Sequence, residues 1–286
     1  MKILYIIACV VLVRADFAVV GDWGRSGTPD QFIMANTLAD MNLEFIISTG
    51  DNFYPTGLTS VQDSQAHDWV HVYNSRVPWY ICLGNHDYYG NVQAQLDMDG
   101  VYSMWNLPAR YYTISKGDVD FWFLDTTPLL DFNPVWKTSP AWLDLEFQRE
   151  KAQDQYAWLE TTLRESNASR KIIVGHHPLW TFGEHMHQTS DDFRDYIVYV
   201  MKEYNVESYI CGHDHNLQHV TNDGIHVFIS GSGAMTFEWD WYTGGRSFDE
   251  AVLEYGDSDT GFMVVSGREY AFHESNGGLK YVYNFE

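Results

Sequence analysis

Five short apolar runs in this chain end in glycine followed by a side chain with an oxygen or nitrogen donor. The donors after these runs are Asp22, Asp51, Asn85 with His86, His176, and His213. Helical spacing of apolar residues over 29–41, 152–164 and 193–204 lies between several of the runs. Strands that alternate with helices predict a parallel sheet built from βαβ units.

Other parts of the chain predict antiparallel strands. Residues 111–126 alternate polar and apolar side chains, and only strand-like runs follow His215. The predicted fold class is therefore α/β, with two facing mixed β-sheets flanked by helices in an α/β/β/α sandwich. No linker-like stretch interrupts residues 16–286, which favours one domain, and residues 129–148 predict a long surface excursion.

Residues 1–15 have the features of a secretory signal peptide. Lys2 precedes an apolar run from Ile3 to Val13, and Ala15 offers a small-residue cleavage site. A buried first strand or a membrane anchor is the alternative, but about eleven apolar residues are fewer than the roughly 20 that a spanning helix needs. We therefore expect a protein that is secreted or delivered to a lysosome or vacuole.

The chain is strongly acidic, with 39 Asp and Glu against 17 Lys and Arg and a formal net charge of −22. Such a charge repels polyanions, so we expect no nucleic-acid and no membrane partner. A small phosphorylated substrate or a phosphoprotein would also be repelled, unless bound metal ions supply positive charge. We expect a monomer, and Asn167 in Asn167-Ala168-Ser169 is a candidate glycosylation site.

Two cysteines remain beyond the predicted signal peptide, Cys82 and Cys211, which excludes a framework of several disulfides. Both lie in apolar, strand-like runs, so two buried free thiols are the favoured interpretation. A single disulfide between them stays open as the alternative.

The donors that follow the apolar runs should meet in space, because the carboxyl ends of strands line the ligand crevice of open α/β sheets. Tyr54 and His215 lie in the same run endings and join the set. Carboxylate, phenolate, amide and imidazole donors without a thiolate suit iron, manganese or zinc. The set is too large for one tetrahedral ion, and a bridging carboxylate would let it hold two ions.

The blocks that carry these donors are Gly21-Asp22-Trp23-Gly24, Gly50-Asp51-Asn52-Phe53-Tyr54, Gly84-Asn85-His86-Asp87, Gly175-His176-His177-Pro178 and Gly212-His213-Asp214-His215. They resemble the signature blocks of the purple acid phosphatases. The short chain resembles the small, animal-type (tartrate-resistant) branch of this family within the calcineurin-like metallophosphoesterases. The resemblance extends from about Phe17 to the last predicted strands.

The resemblance implies a ferric ion beside a divalent ion, which would be Fe(II), Zn or Mn. The implied ligands of the ferric ion are Asp22, Asp51, Tyr54 and His215. The implied ligands of the divalent ion are the bridging Asp51, Asn85, His176 and His213. His86 and His185 are implied to be catalytic residues that contact the phosphate and help to protonate the leaving alkoxide.

The predicted function is that of an acid phosphatase, in which a metal-bound hydroxide attacks a phosphate monoester and histidine protonates the leaving group. A phosphodiesterase or a nucleotide or pyrophosphate hydrolase on the same core is the first alternative, because the pocket walls decide between these substrates. A catalytically silent adhesion or scaffold protein is the second alternative. It is disfavoured because every implied ligand and both proton-handling histidines are present.

Several other histidines carry weaker signals. His67 and His71 are four residues apart on a predicted helix, but no further donor lies nearby in sequence, so a solvated face is favoured. His187, His219 and His226 receive the same interpretation. The 11 tryptophans and 19 tyrosines predict packing in the core and on the sheets.

Overall fold

The computed structural model of the chain describes residues 16–73, 76–130, 147–186, 188, 190–237 and 250–286. Within these residues the strands form two seven-stranded sheets. In chain order the strands are β1 (Asp16–Val20), β2 (Phe45–Ser48), β3 (Trp79–Ile81), β4 (Trp105–Asn106), β5 (Tyr112–Lys116), β6 (Val119–Phe123), β7 (Arg170–Val174), β8 (Ser208–Cys211), β9 (Leu217–Asn222), β10 (Ile225–Ser230), β11 (Val252–Asp257), β12 (Gly261–Ser266), β13 (Glu269–Glu274) and β14 (Leu279–Asn284).

The first sheet has the strand order β14-β13-β12-β1-β2-β3-β4, and the second has the order β11-β9-β10-β8-β7-β6-β5. Strands β1 to β4 are parallel neighbours, whereas β12 runs antiparallel to β1. In the second sheet β6, β7, β8 and β10 are parallel, and β5 and β6 form the predicted antiparallel pair. Both sheets are therefore mixed, and the predicted α/β sandwich is confirmed.

The helices of the described residues lie between the parallel strands or precede them. Those with both ends described are α1 (Pro29–Asp40), α2 (Ser64–Tyr73), α3 (Val92–Met98), α4 (Ala152–Glu165) and α5 (Asp191–Glu203). The Thr28 side chain accepts a hydrogen bond from the Gln31 backbone N–H and caps α1. The Ser190 side chain caps α5 in the same way, which is why this helix begins two residues before the predicted range.

The two sheets pack face to face through aromatic side chains. Phe17 of β1 stacks on Phe45 of β2 with ring centroids 4.9 Å apart. Phe121 of β6 meets both rings edge-on, at 5.3 and 5.7 Å. All three side chains are buried, so they contribute to the hydrophobic stabilisation of the sandwich.

The parallel registers bring the carboxyl ends of β1, β2 and β3 to one edge of the first sheet. Backbone hydrogen bonds then join this edge to the second sheet. Gly21, after β1, donates to the Ser230 carbonyl at the end of β10 at 2.8 Å. Gly233, after β10, donates to the Gly21 carbonyl at 3.0 Å. The run endings of both sheets therefore meet.

The predicted signal peptide, residues 1–15, and residues 131–146 of the predicted surface excursion lie outside the described residues. Among the residues that are described, no helix is both long enough and apolar enough to cross a membrane. Cys82 and Cys211 are free and buried, in agreement with the favoured interpretation.

Candidate metal centre

Three of the predicted donor residues have a left-handed backbone. The φ angles are 59° at Asp22, 52° at Asp51 and 69° at His213. Residues other than glycine seldom adopt positive φ, and aspartate and histidine are among those that tolerate it best. Such strained positions cluster at functional sites, and these three each follow a strand.

Glycine precedes the donors because neighbouring loops approach closely. A Cβ atom at Gly84 would overlap the carboxylate of Asp51, and one at Gly212 would overlap the carboxylate of Asp22. The glycines of the sequence blocks therefore leave room for the acidic side chains of the adjacent strand end.

The first donor cluster surrounds the Tyr54 hydroxyl. Its oxygen lies 2.8 Å from Asp22 Oδ1, 2.8 Å from Asp51 Oδ2 and 2.9 Å from His215 Nε2. A hydroxyl has one hydrogen, so it donates to only one of these three neighbours. The cluster thus contains more lone pairs than hydrogens, all in a buried position.

The second donor cluster surrounds His176. Its Nε2 atom lies 3.0 Å from Asn85 Oδ1, 3.2 Å from His213 Nδ1 and 3.5 Å from Asp51 Oδ1. Asp51 contributes one carboxylate oxygen to this cluster and the other oxygen to the Tyr54 cluster. It is therefore placed to bridge two ions.

The second cluster also contains more lone pairs than hydrogens, because contacts outside the cluster determine which ring nitrogen of each histidine carries the hydrogen. The Thr49 carbonyl lies 2.9 Å from His176 Nδ1, and Gln188 Oε1 lies 3.2 Å from His213 Nε2. Both oxygens accept hydrogen bonds, which leaves His176 Nε2 and His213 Nδ1 as lone pairs that face each other. Outer hydrogen bonds of this kind orient metal-binding imidazoles.

The donor set fits two metal ions. Contacts among the donor atoms span 2.8–3.5 Å. This spacing is expected when each atom lies about 2.0–2.2 Å from a shared ion. The surplus of lone pairs in both buried clusters gives the same result, because cations would compensate it.

Burial and neighbouring charges shift the pKa values of several of these donor groups. Burial, reinforced by the carboxylates of Asp22 and Asp51, raises the pKa of Tyr54 well above its ordinary value. Burial opposes ionisation of Asp51, but His176 and His86 outweigh it and lower the pKa of its carboxyl group. Burial, with help from adjacent histidines, lowers the pKa of His213. A neutral imidazole is the form that binds a metal ion.

The two predicted catalytic histidines lie on opposite donor clusters. The His86 ring packs against Tyr54 with centroids 4.4 Å apart, and its Nδ1 lies 2.6 Å from the Pro55 carbonyl. The His185 ring packs against His213 at 4.1 Å. The structure thus brings together every predicted site residue, while their roles as ligands and proton carriers stay predictions.

Sequence reasoning missed Asp214, which contacts His185. Its Oδ1 atom accepts hydrogen bonds from His185 N at 3.0 Å and from His185 Nδ1 at 2.7 Å. Although burial works in the other direction, this contact raises the pKa of His185. The sequence signal for Asp214 is that an acidic residue lies between two predicted ligands, His213 and His215.

Sequence reasoning also misses His177, although it directly follows a predicted ligand. Its Nδ1 lies 2.8 Å from Thr126 Oγ1, and its ring is 4.5 Å from that of His213. The Nε2 atom is buried and has no hydrogen-bond partner among the described residues. One ring nitrogen each of His176, His177 and His213 lies within metal-binding range of the others.

The expectation of a solvated face is wrong for His219 and His226. His219 is fully buried and stacks on Phe228, with centroids 4.3 Å apart. Its Nε2 lies 3.0 Å from His226 Nδ1, and its Nδ1 lies 2.9 Å from the Tyr281 hydroxyl. Both faces of β9 are covered, which the polar appearance of the strand conceals. His67 and His71 are exposed on α2, and His187 lies outside the described residues.

Comparison with known proteins identifies the family. The chain matches the calcineurin-like phosphoesterase family over residues 15–217. It is 31% identical to purple acid phosphatase 7 of Arabidopsis thaliana over 278 residues, which cover 93% of this chain and 81% of the relative. It is 33% identical to tartrate-resistant acid phosphatase type 5 of Oryctolagus cuniculus over 246 residues, which cover 76% of this chain and 72% of the relative.

Among solved structures, the fold is similar to that of GAP50, the anchor in the inner membrane complex of Plasmodium. The TM-score is 0.76 at 23% identity, with 96% of this chain and 89% of that chain covered. The predicted family is confirmed by the sequence relatives, and this likeness concerns the fold. The chain belongs to the calcineurin-like phosphoesterases and, within them, to the purple acid phosphatases, and it is a metal-dependent phosphoesterase.

Proposed function

We propose that the protein is a secreted acid phosphatase that hydrolyses phosphate monoesters at a binuclear metal centre. The observation that carries the proposal is the pair of hydrogen-deficient donor clusters that share Asp51. Two catalytic histidines flank these clusters, His86 at Tyr54 and His185 at His213. Metal ligands and proton carriers therefore surround one space.

The two clusters differ in chemistry, which supports two different ions. Asp22, Asp51 and Tyr54 give the first cluster mostly anionic oxygen donors, which suit a hard trivalent ion such as Fe(III). His176 and His213 give the second cluster two imidazoles, which suit Fe(II), Zn or Mn. When bound, the ions supply Lewis acidity, which neutralises phosphate charge and activates water as the nucleophile.

The histidines complete the proposed reaction. The Pro55 carbonyl accepts from His86 Nδ1, and Asp214 accepts from His185 Nδ1, so each ring keeps Nε2 for the bound ester. The carboxylate of Asp214 stabilises the protonated form of His185 by a charge-assisted hydrogen bond. His185 Nε2 then donates its proton to the departing alkoxide, while the protonated form of His86 donates its Nε2–H to the phosphate.

The acidic composition supports small phosphorylated substrates or phosphoproteins, which the centre attracts through its metal charge, and it disfavours nucleic acid and membrane surfaces. We further propose that residues 1–15 direct the chain into the secretory pathway. Residues 16–286 then form a single, monomeric domain with a glycan acceptor at Asn167, which is exposed.

Two alternatives remain distinguishable by experiment. A phosphodiesterase or a nucleotide or pyrophosphate hydrolase would use the same donor clusters with a different pocket. A silent scaffold is disfavoured because no structural need explains two buried clusters of facing lone pairs, which cost stability without a cation.

The test combines metal analysis and a visible spectrum with assays on p-nitrophenyl phosphate and bis(p-nitrophenyl) phosphate. We expect two ions per chain and faster monoester hydrolysis, and both should be lost in Asp51→Asn. Preference for the diester would support the first alternative. A folded protein that binds no metal and cleaves neither ester would overturn the proposal in favour of a scaffold.

A further inference from the structure

Arg25 follows the first signature block and lies beside the donor clusters. Its guanidinium carbon is 3.9 Å from the centroid of the Tyr54 ring, within the range of a cation–π contact. The hydroxyl of the same ring belongs to the first donor cluster, and the ring also contacts His86. A fixed positive charge therefore stands next to the proposed reaction site.

The guanidinium of Arg25 has no carboxylate partner within the described part of the chain, and its buried Nε has no hydrogen-bond partner there. Several other arginines are paired, as Arg170 is with Glu207 at 2.6 Å and Arg164 with Glu160 at 2.9 Å. In a chain with 39 acidic and 17 basic residues, an unpaired arginine beside an anion-binding centre is unexpected. Its position suits an anion that comes from outside the protein.

We propose that Arg25 determines substrate specificity by binding a second anionic group next to the phosphate that is cleaved. The preferred substrates would be phosphate esters or anhydrides that carry a neighbouring phosphate or carboxylate. A guanidinium forms paired hydrogen bonds to either group through its planar fork. The inference rests on the proposed function, because that function places the first phosphate at the metal clusters.

The experiment measures binding without turnover. Dissociation constants of methylphosphonate, phosphonoacetate and methylenediphosphonate are determined by calorimetry for the metal-loaded wild type, Arg25→Gln and Arg25→Lys. The three probes carry no second anion, a carboxylate and a phosphonate. The control is Arg268→Gln. Arg268 lies just after the end of β12, where Ser266 pairs with Asp16. Asp16 begins β1, whereas the site residue Asp22 follows the other end of that strand.

We expect Arg25→Gln to raise the dissociation constant of phosphonoacetate, of methylenediphosphonate or of both by roughly tenfold. This is the effect expected from the loss of a hydrogen bond to a charged group. Methylphosphonate should change by less than about threefold, and Arg25→Lys should recover part of the loss. The probe that responds more strongly identifies phosphate or carboxylate as the neighbouring group. Arg268→Gln should leave all three constants unchanged.

Equal losses for all three probes, or no loss in Arg25→Gln, would overturn the inference and leave Arg25 as a support for Tyr54. Failure of the proposed function gives a different result, because the wild type would then not hydrolyse p-nitrophenyl phosphate as its preferred ester. In that case the difference between the probes still decides whether Arg25 binds a second anion.

Discussion

The Tyr54 hydroxyl lies 2.9 Å from His215 Nε2, although 161 positions separate the two residues. Tyr54 follows β2 of the first sheet, and His215 precedes β9 of the second. The first donor cluster therefore spans both sheets. An ion bound there would join the two halves of the sandwich as well as serve the chemistry.

Tyr54→Phe removes the oxygen that Asp22, Asp51 and His215 share, while it keeps the aromatic ring. We expect the variant to lose roughly one ion per chain and, if that ion is ferric, the visible absorption band. Metal analysis and a spectrum measure both effects. Tyr196→Phe is the control, because that hydroxyl donates to the Tyr156 carbonyl of a helix. An unchanged band and metal content would contradict the assignment of Tyr54.

Asp214 should act as a positioning residue for His185. The Asp214 carboxylate also accepts a hydrogen bond from Thr181 Oγ1, so it ties the segment before His185 to the His213 loop. Asp214→Ala should lower kcat by roughly 10- to 100-fold with a smaller change in KM. Asp214→Asn, which keeps an acceptor oxygen but loses the negative charge, should recover part of the loss.

A double-mutant cycle separates this role from general damage to the fold. If Asp214 acts through His185, Asp214→Ala should reduce kcat little further in a His185→Gln background. Losses that multiply would indicate independent roles, and the prediction would then be wrong. Metal content is measured in each variant, because Asp214 lies between two predicted ligands.

Removal of the metal ions should destabilise the fold. Without cations, the buried carboxylates of Asp22 and Asp51 lose the charge that compensates them. An ion present at about 100 times its Kd adds about 2.7 kcal/mol to the free energy of unfolding. Calorimetry should show a lower Tm after chelation and recovery when ions are returned. A Tm that is the same with and without chelator would contradict the two-sheet linkage.

Stability should fall in acid because of the buried His219 and its half-buried neighbour His226. Burial lowers the pKa of His219 to about 3, and burial also lowers the pKa of His226. The unfolded chain therefore binds protons first as the pH falls below the ordinary histidine value of about 6.5. The contribution of His219 is complete above that value and declines toward pH 3, by up to about 1.4 kcal/mol per pH unit.

Urea unfolding at pH 7.5 and pH 5 measures this effect. His219→Gln should reduce the difference in unfolding free energy between the two pH values, because one buried titrating group is removed. His67→Gln, on an exposed helix face, should leave the difference as it is in the wild type. An equal pH dependence in wild type and His219→Gln would show that other groups control acid stability.

The positions of the donors were predictable because they depend on local pattern. Asp51 and His213 each follow a short apolar run and a glycine, and parallel strands bring such endings to one edge. The fold class followed from the same alternation of strands and helices. Both inferences need only the spacing of the apolar residues and the order of the segments along the chain, and both can be read from the sequence.

Contacts between loops were not predictable in this way. Asp214 reaches His185 across 29 positions, and Arg25 reaches Tyr54 through a contact that no period encodes. His219 looked solvated because its strand carries polar side chains, but Tyr281 from the other sheet covers it. Side-chain partners of this kind depend on how the sheets pack, and a single sequence does not specify that arrangement.

The left-handed turns at Asp22 and Asp51 allow the charge of these side chains to change without a change in the backbone of this protein. Asparagine accepts the same turn as aspartate, so one altered nucleotide would delete a negative charge and leave the backbone path intact. A descendant that lost catalytic activity in this way would keep the folded backbone of the enzyme. Loss of the enzymatic activity would therefore require no change of fold.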